Sequence, residues 1–234
     1  MVRGKKYQEK EKLVDKAKMY SSAEAFTLVK QTARTKFDET VELALKLGVD
    51  SKKHSIRGTV MLPGGSGKTK KVAVIAKSER VKEAEDAGAD VFGSDDLVEK
   101  ISKGFMDFNT LIVTPDMMGS VGKLGKILGP KGLMPNPKTG TVTFEIAKTV
   151  KDFKGGKVEF KMDKGSVLHM VLGKVSFAEA ALQDNLNAAL KAIMHMKPSG
   201  FKGIYLKSVN VSSTMGPGVK IDIKSVLSSA GIEG

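Results

Sequence analysis

The chain contains no cysteine. That excludes disulfide cross-links and thiolate metal sites, and it is compatible with a reducing compartment. Tryptophan is also absent, and aromatic residues make up only 6% of the chain. A platform that stacks successive single-stranded bases is therefore not expected. No run of about 20 uninterrupted apolar residues occurs, so no membrane-spanning helix is expected. The N-terminal MVRGKKYQEKEK has charges with no apolar run behind them, so no secretory leader is expected. The three histidines, His54, His169 and His195, are scattered and lack cysteine companions. No metal site and no cofactor are expected from them. No nucleophile elbow is present to anchor a Ser/His/Asp triad.

What the chain has in excess is positive charge. Lys and Arg number 39 against 26 Asp and Glu, giving a net charge of +13 and a pI near 9.7. Such a surface attracts a polyanion, either nucleic acid or an acidic membrane. Most of these cations are lysines, which suit phosphate contact better than base reading. With 234 residues, 41% of them hydrophobic, the chain can build one large domain or two modest ones.

The hydrophobic pattern changes twice along the sequence. After a flexible basic start over Met1–Lys12 leading to a short helix near Leu13, Ser21 and Glu24 form a capping box. A helix is expected from about Ser22 to Arg34. Thr40 to Val49 alternates as a half-buried antiparallel strand, and Ile56 to Leu62 is a second strand. From Val72 onward short apolar runs alternate with helical stretches. Strands are expected at Val72–Ala76, Ala89–Phe92 and Thr110–Val113. Helices are expected at Glu79–Ala87, Asp95–Lys103, around Met117–Leu128 and at Ile146–Phe153. That alternation predicts a Rossmann-like α/β sheet. From Lys157 the antiparallel pattern returns: strands at Lys157–Met162 and Val167–Leu172 flank an Asp163-Lys164-Gly165 turn. A second capping box, Ser176 with Glu179, opens a helix from Phe177 to about Met196. Strands at Ile204–Val211 and Val219–Ile223 follow, and the last ten residues read as loosely held.

The fold class expected is thus an α+β outer domain, an antiparallel sheet with helices split by an insertion, plus an inserted α/β Rossmann-like domain. The outer domain is expected over 1–66 and 159–234, and the inserted one over 67–158. Gly64-Gly65 and Gly155-Gly156 mark the crossings and predict a hinge. The inserted segment has two unlike stretches. Glu79, Glu83, Glu85, Asp86, Asp90, Asp95, Asp96 and Glu99 crowd one; Lys123, Lys126, Lys131, Lys138, Lys148, Lys151, Lys154 and Lys157 crowd the other.

Gly64-Gly65-Ser66-Gly67-Lys68-Thr69 mimics the end of a phosphate-binding loop, and a nucleotide-dependent enzyme using residues 64–69 is the alternative reading. Leu62 stands where that motif needs its first glycine, and the loop precedes a strand rather than opening a helix. Gly122-Lys123-Leu124-Gly125 matches the GXXG of KH domains, a four-residue signal. Leu111–Val142 is more informative. A short apolar strand there gives way to a run rich in Gly, Pro and Lys, and prolines at 130, 135 and 137 forbid regular helix or central strand after Gly129.

Within that stretch, GKILGPKGLMPNPKTGTV closely resembles the signature of the large-subunit ribosomal protein L-one family, bacterial type. TKFDETVELALKLGVD (Thr35–Asp50), RGTVMLPGGSGK (Arg57–Lys68) and SSTMGPGVK (Ser212–Lys220) extend the resemblance over nearly the whole chain. The resemblance implies the same two-domain arrangement and a non-enzymatic protein of the cytoplasmic large ribosomal subunit, a monomer when free. It implies binding to the side stalk of large-subunit rRNA, help in releasing deacylated tRNA from the exit site, and repression of translation from its own operon mRNA. No membrane partner is expected.

The RNA-binding residues it implies are Lys36, Phe37, Thr40, Lys161, Asp163, Lys164, His169, Lys174, Ser208, Thr214, Met215 and Gly216. The signature-loop residues are Gly125, Lys126, Gly129, Pro130, Lys131, Gly132, Pro135, Asn136 and Pro137. On residue chemistry alone Phe37 reads as core filler, His169 as a strand residue facing water, and Ser212–Pro217 as a turn. Hydroxyls and backbone N–H groups of such a turn suit 2′-OH and phosphate oxygens. Lys161-Met162 departs from the family's usual Arg-Asn, so a bidentate fork is absent there.

Overall fold

Val41, Leu43, Leu45 and Leu47 are all buried, and the strand that carries them lies inside a six-stranded sheet. The computed structural model describes residues 4–231, without the side chains of Ser78 and Glu79. In chain order its elements are α1 (Lys5–Glu11), α2 (Ser22–Thr32), β1 (Thr40–Leu47), β2 (Arg57–Met61), β3 (Val72–Ile75), α3 (Ser78–Asp86), β4 (Val91–Gly93), α4 (Asp95–Ser102) and β5 (Thr110–Val113). There follow α5 (Met118–Gly122), α6 (Gly125–Leu128), α7 (Ile146–Lys154), β6 (Lys157–Met162), β7 (Val167–Lys174), α8 (Glu179–His195), β8 (Leu206–Ser213), β9 (Val219–Ile221) and α9 (Ile223–Ser229). Single 3-10 turns occupy Pro115–Met117 and Pro137–Thr139. The chain is a mixed α/β protein that divides into two compact units, 1–67 with 158–234 and 68–157.

The first unit holds the sheet β2-β6-β7-β1-β8-β9. β1 runs antiparallel to β7 on one side and to β8 on the other. Helices α2, α8 and α9 pack on one face of this sheet. Phe26 and Val29 of α2, Leu186 and Leu190 of α8 and Val226 of α9 share a core with Leu43, Leu45, Leu168 and Val209. The capping box at Ser21 and Glu24 is formed in both directions.

Several details differ from the expectations. α2 stops at Thr32 because the N–H groups of Arg34 and Thr35 turn to the Glu39 carboxylate. The capping box expected at Ser176 does not form. Ser176 instead donates from its N–H and hydroxyl to Asp38, and α8 starts at Glu179 with Ala178 as an uncapped N-cap. The N-terminal helix precedes Leu13, which is exposed, and Val14 is buried in its place. The segment after β9 is ordered rather than loose: Asp222 caps α9 at the Ser225 N–H, and Val226 and Ala230 are buried. Met1–Arg3 and Ile232–Gly234, which belong to the two ends expected to be loosely structured, lie outside the described residues.

The second unit holds the parallel sheet β4-β3-β5. Successive residues of β3 point to opposite sides, and each side is filled. Ala73 and Ile75 pack with α4, α5 and Leu128, whereas Val72 and Val74 pack with α7 and Ala84 of α3. The single helix expected around Met117–Leu128 is broken into a 3-10 turn, α5 and α6. Its glycines at 119, 122 and 125 weaken continuous helix there. After α6 the 3-10 turn led by Pro137 ends at Gly140, whose φ of 67° lies in the left-handed region.

Candidate nucleic-acid interface

The residues expected to bind RNA lie in sequence segments that converge on the first unit. At the start of β1, the Glu39 side chain is the joint. It is 2% exposed, and its carboxylate accepts from the backbone N–H groups of Arg34 (2.8 Å), Thr35 (3.0 Å) and Met215 (3.0 Å). Burial alone would raise its pKa. The Ser213 hydroxyl beside it and those three N–H groups outweigh burial and hold the carboxyl down at about 2. One buried anion thus ties the 33–38 loop to the 214–217 turn.

Thr214 completes the joint. Its Oγ1 accepts from the Thr40 N–H at 2.9 Å and donates to the Thr40 carbonyl at 3.3 Å. Gly216 is a steric requirement: a Cβ there would lie 2.4 Å from Ser213 Oγ. With the turn fixed, Met215 stands 45% exposed. Phe37 is 57% exposed, so its reading as core filler is overturned; the loop held by Glu39 turns it outward. Lys36 beside it is exposed. Lys174 lies opposite Thr40 in the β1–β7 register, and its Nζ donates to Thr40 Oγ1 (3.2 Å) and the Asp38 carbonyl (3.1 Å). A shift in that register between Val41 and Glu42 bends the ladder beside this pair. Lys36, Phe37, Thr40, Lys174, Thr214, Met215 and Gly216 are therefore gathered at one end of the sheet.

The sheet face opposite α2, α8 and α9 carries the other residues. Cross-strand pairing aligns Lys161, His169, Ala44, Asn210 and Lys220 in one row across five strands. Lys161 and His169 are exposed. Met162 faces the core at 6% exposure, which fits an apolar residue in place of the family's polar one. Ser208 lies farther along β8, opposite Lys46. Asp163 and Lys164 sit in the turn after β6, where Asp163 Oδ1 accepts from the Val167 N–H at 2.7 Å. Ser166 closes that turn at a positive φ of 59°. These residues are away from the Thr214–Gly216 end and are not part of one compact cluster with it.

Small and medium side chains such as Ala44, Ser208 and Ser212 keep the face low, and exposed Glu42 stands in the row beside Val171 and Ser212. A carboxylate there can accept from a 2′-OH and repels a phosphate. Reading the sequence missed Glu39, Asp38 and Glu42. The only signal was a pair of acids between a basic loop and a strand.

The signature loop belongs to the second unit. Gly125 and Lys126 open α6, and the Gly129 N–H closes it on the Gly125 carbonyl. Gly132, with φ 71°, turns back to the Gly129 carbonyl. Asn136 organises the remainder: its Oδ1 accepts from the Lys138 N–H, its N–H donates to Thr141 Oγ1, and its carbonyl accepts from Thr139 Oγ1. Pro135 is buried, whereas Pro130 and Pro137 are exposed. The backbone then pairs with the end of β5 through Val113 and Thr141. Lys123, Lys126, Lys131 and Lys138 stay exposed around this framework, and none forms an ion pair among the described residues.

A family model, the ribosomal protein L1p/L10e family, matches residues 29–217, which include Glu39, the sheet face from β2 to β8 and the signature loop. The chain belongs to that family. Members of the L1p/L10e family are structural rRNA-binding proteins of the cytoplasmic large ribosomal subunit, and they are not enzymes. The matched span ends at Pro217, just after the turn that Glu39 holds.

Proposed function

We propose that this protein binds the side stalk of large-subunit rRNA through the first unit, with Met215, Phe37 and Lys36 at one end of the contact and Lys161 and His169 along the open sheet face. On this reading the outer domain, 1–66 with 159–234, recognises RNA, and the inserted Rossmann-like domain, 67–158, adds lysine contacts from its signature loop. The protein also assists release of deacylated tRNA from the exit site and represses its own operon mRNA by binding a similar RNA shape. The observation that supports this most is the Glu39 carboxylate, which takes N–H groups from both the 34–35 loop and Met215 and so turns two distant segments into one surface.

The contact mode follows from the side chains. Met215 and Phe37 offer exposed apolar surface suited to a ribose or base face, and lysines supply phosphate contacts without a base code. The test is binding of the purified protein and its Met215→Ala variant to side-stalk RNA and to a duplex of equal length. The variant is expected to lose roughly 1–3 kcal/mol on the stalk RNA, the scale of one good contact. Equal binding of both RNAs by the unaltered protein defeats the proposal. Repression is tested separately, by translation of a reporter carrying the operon leader with and without added protein.

A further inference from the structure

At the far end of β1 from Thr214, three loops meet. The Ser51 hydroxyl donates to the Lys164 carbonyl at 2.7 Å, which joins the 48–55 loop to the 163–166 turn. Lys46 Nζ donates to the Gly165 carbonyl in the same turn. The Gly48 N–H donates to the Tyr205 carbonyl at 2.7 Å, which brings in the 197–205 loop. The approach is close enough that a Cβ on Gly48 would lie 2.1 Å from the Ile204 carbonyl oxygen.

Lys52, Lys53, Lys164 and Lys202 project from these loops, all exposed. Among the described residues none of the four forms an ion pair. Both carboxylates of the region are engaged by backbone: Asp50 Oδ1 accepts from the Lys52 N–H, and Asp163 Oδ1 from the Val167 N–H. The cations are thus carried on hydrogen-bonded loops, with no acidic side chain drawn to them.

Charge and continuity identify the partner. The segments of the first unit carry 23 Lys and Arg against 14 Asp and Glu, so most of the net +13 is theirs. The lysine cluster borders the Lys46–Ser208 row, which continues the open face that bears Lys161 and His169. β1 spans eight residues; at the usual strand rise the cluster lies about 23 Å from the Thr40 end. An extended polyanion lying along the face meets both.

We infer that Lys52, Lys53, Lys164 and Lys202 form a second contact for the RNA backbone, independent of sequence and separate from the Met215 end. This rests on the proposed RNA reading of the first unit and adds a phosphate-binding pole to it. Lysines act there as point charges, so they strengthen all RNA binding without favouring one sequence.

The experiment uses the full chain with Lys52, Lys53 and Lys202 together changed to Gln, beside Met215→Ala. Affinity for side-stalk RNA and for an equal-length duplex is measured across a salt series. The triple variant is expected to lower the log–log salt slope by about two to three, at 0.7–0.9 per phosphate contact, for both RNAs alike. Met215→Ala is expected to reduce the preference for stalk RNA and leave the slope unchanged. A triple variant with an unaltered slope overturns the second pole, whatever Met215→Ala does. Loss of slope without any stalk preference in the parent keeps the pole and overturns the specific-recognition reading. Because the chain has no cysteine, Lys202→Cys also supplies a unique tether for a radical source. Cleavage of bound RNA from that tether is expected, and absence of cleavage with binding intact also overturns the pole.

Discussion

At the residue scale, Glu39 links stability to the proposed RNA-binding surface. Its carboxyl is held at about 2, against 4.5 for an unperturbed glutamate. A depressed folded-state pKa contributes stability fully above the unfolded value, and that contribution disappears as pH falls through the folded value. The window is therefore pH 4.5 down to 2, and the shift corresponds to roughly 3 kcal/mol at neutral pH. Glu39→Gln is expected to destabilise the protein at pH 7 and to flatten the pH dependence within that window, as read by urea midpoints. An unchanged acid limb would mean that other carboxylates control it. Thr214 has a different role from Met215, since its hydroxyl bonds to the Thr40 backbone in both directions. Thr214→Ser is expected to keep RNA affinity. Thr214→Ala is expected to lose roughly 1–3 kcal/mol of it with little change in salt slope. Equal affinities for the two variants would remove the hydroxyl from the explanation.

At the element scale, α8 is fixed by more than apolar burial. Asn185 is fully buried within it. Its Nδ2 donates to the Leu172 carbonyl (2.6 Å) and the Gly65 carbonyl (3.0 Å), and its Oδ1 accepts from the Gly64 N–H (2.8 Å). This pins the Gly64-Gly65 pair to the first unit. Asn185→Ala strands those backbone groups and is expected to cost roughly 2–4 kcal/mol, checked by urea unfolding. A loss under 1 kcal/mol would show that water replaces the amide. The alternation in β1 and the continuous apolar run in β3 were legible in the sequence because the core imposes those periods directly. The failed capping box at Ser176 was not legible. Its competitor, Asp38, lies 138 positions away, and no local pattern reveals such a rival. The early end of α2 has a nearby cause, Glu39 five positions past Arg34, but residue type alone does not show that this carboxylate takes the backbone N–H groups. Phe37 was misread for a related reason: its exposure depends on where Glu39 holds the loop, which residue type alone does not disclose.

At the scale of the whole molecule, the proposed recognition and most of the net charge lie in the same outer segments. Residues 67–158 carry 16 Lys and Arg against 12 Asp and Glu, only +4 of the total +13. Joining Met1–Ser66 to Glu159–Gly234 through a short Gly/Ser linker is expected to leave a folded protein that prefers stalk RNA over an equal-length duplex. Long-range attraction is expected to survive largely, since most of the charge remains. Circular dichroism checks the fold, and the affinity ratio at two salt concentrations checks the recognition. A folded product without preference would place essential contacts in the second unit.

Strand β1 waits for both of its neighbours. Thr40 is bonded to Thr214, 174 positions later in the chain, and β1 has no partner in the sheet until β7 and β8 have been made. During synthesis the early segment must therefore emerge and remain open while the parallel-sheet unit is translated and completed. A polypeptide released before β8 lacks the turn that Glu39 holds, and with it the exposed Met215. Truncated products would then keep the lysines of the earlier loops but lack the Met215 end, so the expected preference for stalk RNA is the last property the growing chain acquires.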